Sequence, residues 1–286
     1  MPNSKDIRTT PEAQAYLSWT PPVGTLGQLV AAAHGRAALL ARTAGDLEKS
    51  ALAAGAVPSL AAALRRGGEV ALIAEIKRAS PSRGSIRREL DAASRAVAYS
   101  RGGAAAISVL TEPDRFTGSD EDLREAANAS GLPTLKKDFH VAPVQLLQAR
   151  ALGASAALLI ARALDQPALE DLIQTAERIG LETVVEVRSL EELERALIAG
   201  ARIIGVNNRN LETLRMESGV VEAVIPRIPR DCVAIAESGY SDRASVEGAA
   251  VCGADAILIG SYLSAAHDPE AAVRRLSGVR KVSRSR

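Results

Sequence analysis

Val70-Ala71-Leu72-Ile73-Ala74-Glu75-Ile76-Lys77-Arg78-Ala79-Ser80-Pro81-Ser82-Arg83-Gly84 begins as an apolar run and ends in charges and hydroxyls. A short apolar run bounded by turn residues reads as a strand buried on both faces. Glu75 and Lys77 arrive at its end, and because side chains alternate along a strand the two share a face. Pro81 and Gly84 stop the strand, and Ser80 and Ser82 offer hydroxyls and backbone N–H groups to an anion. A carboxylate beside an ammonium at a strand end also suits a plain solvated ion pair, so the pair alone decides no function.

Outward from this strand, short apolar runs alternate with amphipathic helices. The further runs are Ala104 to Leu110, Pro133 to Leu135 with a polar extension, Ala156 to Ile160, Thr183 to Val187, Arg202 to Val206, Cys232 to Ala236 and Ala256 to Ile259, eight with the first. Ser119 with Asp122 and Ser189 with Glu192 have capping-box spacing. Pro143, Pro167 and Pro269 suit first helical turns, while Gly153, Gly180, Gly200 and Gly253 suit left-handed helix ends. Strands apolar on both faces and separated by helices imply a parallel sheet covered by helices, and eight such units fit a closed (β/α)8 barrel. An open doubly wound sheet is the alternative, although no Gly-x-Gly-x-x-Gly follows the first strand. Two helices are expected ahead of the barrel, Thr25 to about Ala44 and Ser59 to Arg66. The expected division is thus a helical extension over residues 1–69, a barrel over 70–279 and a basic tail over 280–286 that frays.

The 286 residues are 47% hydrophobic, enough for a large core, and the net charge of +1 leaves no globally basic surface for nucleic acid. Met1 to Pro22 lacks the basic-then-apolar order of a secretion signal, and His34 and Arg36 interrupt the most apolar helix before it reaches membrane-spanning length. Cys232 and Cys252 lack metal-ligand spacing and read as structural thiols in a reducing compartment. A cytoplasmic protein without membrane or metal is expected.

In such a barrel, groups at the C-terminal strand ends converge on one mouth. Those ends carry Glu75 and Lys77, then Lys136, Lys137 and Asp138, then Glu186, then Asn207, Asn208 and Arg209, then Glu237-Ser238-Gly239, then Gly260-Ser261. Each has a plainer reading. Adjacent Lys136 and Lys137 must point oppositely, so one faces the mouth and the other is expected to be solvated; Glu186 suits a paired structural carboxylate; the asparagines suit turns. Together they are harder to explain structurally, because burying charge is costly unless it is paired or used. The small residues and hydroxyls ending the last two strands suit a bound phosphate ester.

These residues carry a resemblance. Ala74 to Gly84, Ser108-Val109-Leu110-Thr111-Glu112 with Phe116 and Gly118, Leu135 to Phe139, Glu186-Val187, Ile204 to Leu211 and Ala236 to Gly239 closely resemble the indole-3-glycerol-phosphate synthase family, in register over about residues 70 to 265. The chain departs from that family at Lys136, where an arginine is usual, at His140, where an apolar residue is usual, and before Ser59, where an aromatic is often found. The resemblance implies a TIM barrel and a lyase of tryptophan biosynthesis. The reaction is conversion of 1-(2-carboxyphenylamino)-1-deoxyribulose 5-phosphate to indole-3-glycerol phosphate with loss of carbon dioxide and water. No cofactor is implied; the partner is the phosphorylated substrate, with room for association with other tryptophan-pathway enzymes. Lys137 is then the acid at the substrate carbonyl, a lysine expected to be tuned toward neutral pH. Lys77 is the second cation, for the carboxylate or for loss of the hydroxyl. Glu186 is base or acid in dehydration, Glu75 orients Lys77, and Asn207 binds a hydroxyl beside Glu237. Ser80, Ser238, Gly239, Gly260 and Ser261 hold phosphate, Arg209 adds a binding cation, and Phe139 and Leu110 flank the aromatic ring. The alternatives are a barrel lyase in which Lys137 forms a Schiff base, and a phosphate-ester-binding barrel without turnover.

Overall fold

The computed structural model describes residues 19–87 and 89–284. The reading of Met1 to Pro22 falls almost wholly outside the described residues, as do Ser285 and Arg286 of the tail. Eight parallel strands form a closed barrel: β1 (Ala71–Ile76), β2 (Ala106–Leu110), β3 (Thr134–Lys137), β4 (Ala156–Ile160), β5 (Glu182–Val187), β6 (Ile203–Asn207), β7 (Val233–Glu237) and β8 (Ala256–Ile259). Each lies beside its neighbours in sequence, and β8 closes on β1. The open-sheet alternative is thereby excluded. Ile73, Ile107, Leu135, Val185, Ile235 and Ile257 are all buried, which accounts for strands that read as apolar on both faces.

Among the described residues three α-helices precede the barrel: α1 (Gly24–Leu40), α2 (Ala44–Ala53) and α3 (Leu60–Arg65). Around it run α4 (Ala92–Gly102), α5 (Asp120–Ser130), α6 (Pro143–Ala151), α7 (Gln166–Arg178), α8 (Leu190–Ile198), α9 (Val220–Val224), α10 (Arg243–Val251), α11 (Ser261–Ala265) and α12 (Pro269–Leu276). The caps read from the sequence are present: Ser119 accepts the Asp122 N–H at 3.1 Å and Ser189 the Glu192 N–H at 3.2 Å. None of the helices among the described residues is long and apolar enough to cross a membrane.

The expected single helix from Thr25 to Ala44 stops at Leu40, passes through a tight turn and resumes as α2. Only Ala51 of α2 is buried, so the sequence carries almost no amphipathic signal there. Long-range bonds hold the segment instead. Arg150 of α6 donates to the carbonyls of Ala54 and Gly55 at 3.1 and 2.8 Å. Glu182 accepts the Leu60 N–H and the Ser59 hydroxyl at 2.5 and 2.8 Å.

The tail does not fray over its described length. Lys281 donates from its backbone to Gly68 O and from Nζ to Leu64 O, both at 2.8 Å. Arg284 is buried, with its guanidinium on the carbonyls of Gly253 (2.7 Å) and Cys232 (2.8 Å) and on Asp255 Oδ2 (2.8 Å). Unpaired carbonyls where strands enter the barrel need donors, and this arginine supplies them.

Candidate active site

Strand register sets the rim. Glu75 of β1 pairs with Ser108, Leu110 with Lys137, Ile160 with Glu186, and Asn207 with Glu237. Apart from Ser108, which lies in mid-strand, these residues stand at or next to the C-terminal ends of their strands and line a cavity of about 680 Å³. The fourteen residues given a catalytic or binding role from the sequence all line it: Lys77, Lys137, Glu75, Glu186, Glu237, Asn207, Ser80, Ser238, Gly239, Gly260, Ser261, Arg209, Phe139 and Leu110; of the other strand-end residues, Lys136 and Asn208 do not.

At its centre Lys137 Nζ stands 3.1 Å from Glu237 Oε2 and 3.3 Å from Glu186 Oε2. Asn207 Nδ2 donates to the other oxygen of Glu186 at 2.9 Å, and Asn207 Oδ1 accepts the Arg209 backbone N–H at 2.8 Å. Asn207 is therefore held from both sides and is no mere turn former. Lys77 Nζ lies 2.8 Å from Glu75 Oε1. Two glycines make room for these carboxylates. A Cβ on Gly205 would overlap Glu237 Oε1, and one on Gly260 would overlap Glu75 Oε1 and stand 2.7 Å from Lys77 Nζ.

The electrostatics correct one expectation. Burial alone would lower the Lys137 pKa, but the carboxylates of Glu237, Glu186 and Glu75 outweigh it and hold the lysine above its ordinary value, not toward neutrality. Glu237 moves the other way: burial pushes its carboxyl up to about 7 against the pull of Lys137, with Glu186 adding to the rise.

Lys136 is also not solvated. It points away from the mouth and is 2% exposed, its Nζ 2.6 Å from Asp120 Oδ1 and 2.7 Å from Thr111 Oγ1. Thr111 in turn donates to Asp138 Oδ2 at 2.7 Å, and Arg36 of α1 reaches Asp138 Oδ1 at 3.0 Å. A chain of opposite charges thus links α1 and α5 to the strand bearing Lys137. His140 is buried beside this chain with Nδ1 2.7 Å from Leu158 O, which makes Nδ1 the protonated nitrogen; burial lowers its pKa to about 4, so the ring is neutral.

The lining is divided. Ser80, Ser238, Gly239, Gly260 and Ser261 follow β1, β7 and β8, which are neighbours in the barrel. Ser80 Oγ is buried without a hydrogen-bond partner among the described residues, and Ser238 and Gly239 both have left-handed backbone, at φ 68° and 93°. Across the mouth, β2 to β4 contribute Leu110, Phe139, Leu158 and Ile160, joined by Phe116, whose ring lies 6.4 Å from that of Phe139 at 40°. Arg209 sits between the two groups, but its Nη1 already donates to Leu214 O at 2.8 Å. Its guanidinium braces the loop after β6 as well as facing the cavity.

Sequence reasoning did not select Phe116, Leu158, Ile160, Leu211, Met216 or Arg83, which also line the cavity. Leu158 and Ile160 lie in a strand with no polar residue to mark which face looks inward. Among the described residues no cluster of His, Cys, Asp and Glu has the makings of a metal site.

A family model described as indole-3-glycerol phosphate synthase matches residues 29–276. The indole-3-glycerol phosphate synthase of Mycolicibacterium gilvum is 49% identical over 215 residues, covering 75% of this chain and 79% of that protein. Indole-3-glycerol phosphate synthase 1 of Streptomyces coelicolor is 49% identical over 211 residues, covering 74% and 78%. Among solved structures, 3-hexulose-6-phosphate synthase from Salmonella typhimurium aligns with a TM-score of 0.58 at 16% identity, over 72% of this chain and 96% of that one. Thiamine phosphate pyrophosphorylase from Pyrococcus furiosus aligns at 0.55 and 17% identity, over 72% and 93%; likeness at this level concerns the fold alone. The family model spans the barrel and its mouth, both relatives are 49% identical over about three quarters of the chain, and the chain belongs to the indole-3-glycerol phosphate synthase family.

Proposed function

We propose that Lys137, Lys77, Glu186, Glu75, Asn207 and Glu237 carry the family's reaction in this chain. Members of that family are decarboxylating lyases of tryptophan biosynthesis, and this chain is one of them, acting on a phosphorylated small molecule. The reaction joins the ring carbon that bears the carboxylate to the ketone carbon of 1-(2-carboxyphenylamino)-1-deoxyribulose 5-phosphate. Carbon dioxide then leaves, its bonding electrons restoring the ring, and the new hydroxyl departs as water to give indole-3-glycerol phosphate.

The observation that carries the assignment is Lys137 Nζ held between Glu186 and Glu237 while Lys77 and Glu75 pair in the same cavity. A lysine kept this firmly protonated releases its proton only to a strong base. The oxygen of the attacked ketone becomes one as the carbon–carbon bond forms, so Lys137 protonates it at that step. The same state argues against a Schiff base, which needs a neutral amine. Lys77 serves the leaving carboxylate or the departing hydroxyl, with Glu75 orienting it. Glu186 moves the proton in dehydration, and Asn207 both fixes Glu186 and binds a substrate hydroxyl beside Glu237. Ser80, Ser238, Gly239, Gly260 and Ser261 take the phosphate, with Arg209 at their margin; Phe139 and Leu110 take the aromatic ring.

The proposal keeps the division into a helical extension at 1–69, a catalytic barrel at 70–279 and a tail at 280–286. It assigns the protein to the cytoplasm, supported by two free cysteines, Cys232 and Cys252. Association with other tryptophan-pathway enzymes is tested by co-elution at physiological concentration. The deciding experiment adds the carboxyphenylamino substrate and follows indole fluorescence. Appearance of indole-3-glycerol phosphate is expected; a folded but silent protein would favour a binding barrel without turnover.

A further inference from the structure

Ser264 lies one helical turn beyond Ser261 on α11 and is fully buried. Its hydroxyl accepts the Lys77 backbone N–H at 3.1 Å and donates to the Glu75 carbonyl at 2.8 Å, across 189 residues of sequence. Both bonds end on backbone of residues whose side chains face the cavity. The same helix is fixed from behind: Arg95 donates to Ala266 O at 3.0 Å and to Leu263 O at 3.4 Å, and Arg87 to Ala266 O at 3.3 Å. From the front, Gly260 lies so close to the Glu75 and Lys77 side chains that no Cβ fits. The end of β1 and the helix after β8 are therefore locked together at backbone and side chain.

We infer that Ser264 is a positioning residue that sets the Lys77 ammonium in register with the phosphate-binding turn at Gly260–Ser261. The inference rests on the proposed roles of Lys77 and that turn. Phosphate bound at Ser261 and ammonium at Lys77 then sit at a fixed separation, so that a substrate anchored at one end meets the cation at the other. Without the Ser264 hydroxyl, the Lys77 N–H loses its acceptor and the strand end is free to slide against α11, and a displacement near 1 Å costs about 100-fold in rate at worst.

The test is a double-mutant cycle between S264A and K77A, read as kcat and KM on the carboxyphenylamino substrate, with melting temperature alongside. S264A is expected to lower kcat about 10-fold, and to change it less than about 2-fold when K77A is already present. Equal loss in both backgrounds would mean a merely structural serine and overturn the inference, leaving the role of Lys77 intact. K77A with parental kcat would instead remove the proposed role of Lys77, and the inference with it.

Discussion

Lys137 Nζ lies 3.1 Å from Glu237 Oε2, while Glu237 Oε1 has no hydrogen-bond partner among the described residues. One oxygen of this carboxyl faces the ammonium and the other is buried, so burial can push its pKa to about 7 despite the neighbouring cation. The unfolded chain releases that proton near the ordinary value of 4.5. Between these two values the folded state holds more protons than the unfolded one, so this group's contribution to stability falls as pH rises through the window. Glu237→Gln should remove that slope, on the order of 3 kcal/mol across the window. Urea unfolding of both proteins at pH 5 and pH 7.5 checks it; parallel curves would rule out the raised carboxyl.

Lys137→Ala should lower kcat by a factor of roughly 100 to 10,000, the range of a lost general acid. The fold should survive, because Lys137 lies at the mouth and the apolar strand core beneath it is untouched. The measurement is indole fluorescence under substrate saturation, with near-ultraviolet circular dichroism as the check on packing. Near-parental kcat in this variant would end the proton-donor assignment.

Gly205→Ala tests the site without removing a polar group. Gly205 pairs with Glu186 on one side and Ile235 on the other, and an added Cβ would overlap Glu237 Oε1. Its backbone is not left-handed, so the penalty comes from space alone. The carboxyl must swing away from Lys137, at a cost of about 1–3 kcal/mol in stability and roughly 10-fold or more in kcat. Kinetics and thermal melting on the same sample decide it, and a variant with unchanged kcat would show that the placement of Glu237 does not matter.

Ser261→Ala should act differently from both. Its hydroxyl belongs to the turn proposed for phosphate, remote from bond making, so KM should rise about 10-fold with kcat little changed. A fall in kcat alone would move Ser261 out of the phosphate site and into the chemistry.

Much of this architecture is legible in the sequence because its signals are local. Gly153, Gly200 and Gly253 take positive φ at helix ends, and Ser119 and Ser189 cap helices from within their own segments. The polar rim is legible for a related reason: Glu186 stands out between Val185 and Val187, and strand alternation then fixes its side. Where the reading failed, the deciding partner is far away in the chain. Lys136 is buried because Asp120 and Thr111 wait behind β3. The direction of the Lys137 shift is not legible in the sequence, because it depends on three carboxylates from β1, β5 and β7 acting on one ammonium. Leu158 and Ile160 could not be told from core, since lining and core residues are both apolar.

Arg284 shows the same dependence on distant partners, and its removal is the sharpest stability test. Gly253, Cys232 and Asp255 precede the last two strands, at the floor of the barrel opposite the mouth, and the guanidinium binds all three. Arg230 in turn donates to the Arg284 carbonyl at 2.9 Å, and Gly253 leaves the side chain its path, since a Cβ there would overlap Arg284 Cγ. Arg284→Ala strands two buried carbonyls and one carboxylate; Asp255 remains partly exposed and recovers some solvation. The expected cost is about 2–4 kcal/mol, equivalent to a drop of roughly 5–10 °C in Tm. Because the floor and the mouth lie at opposite ends of the strands, kcat/KM at 25 °C should stay within about 2-fold of the parent. An unchanged Tm would mean that the segment is loosely held after all, and a large loss of kcat/KM would mean that the floor is coupled to the site.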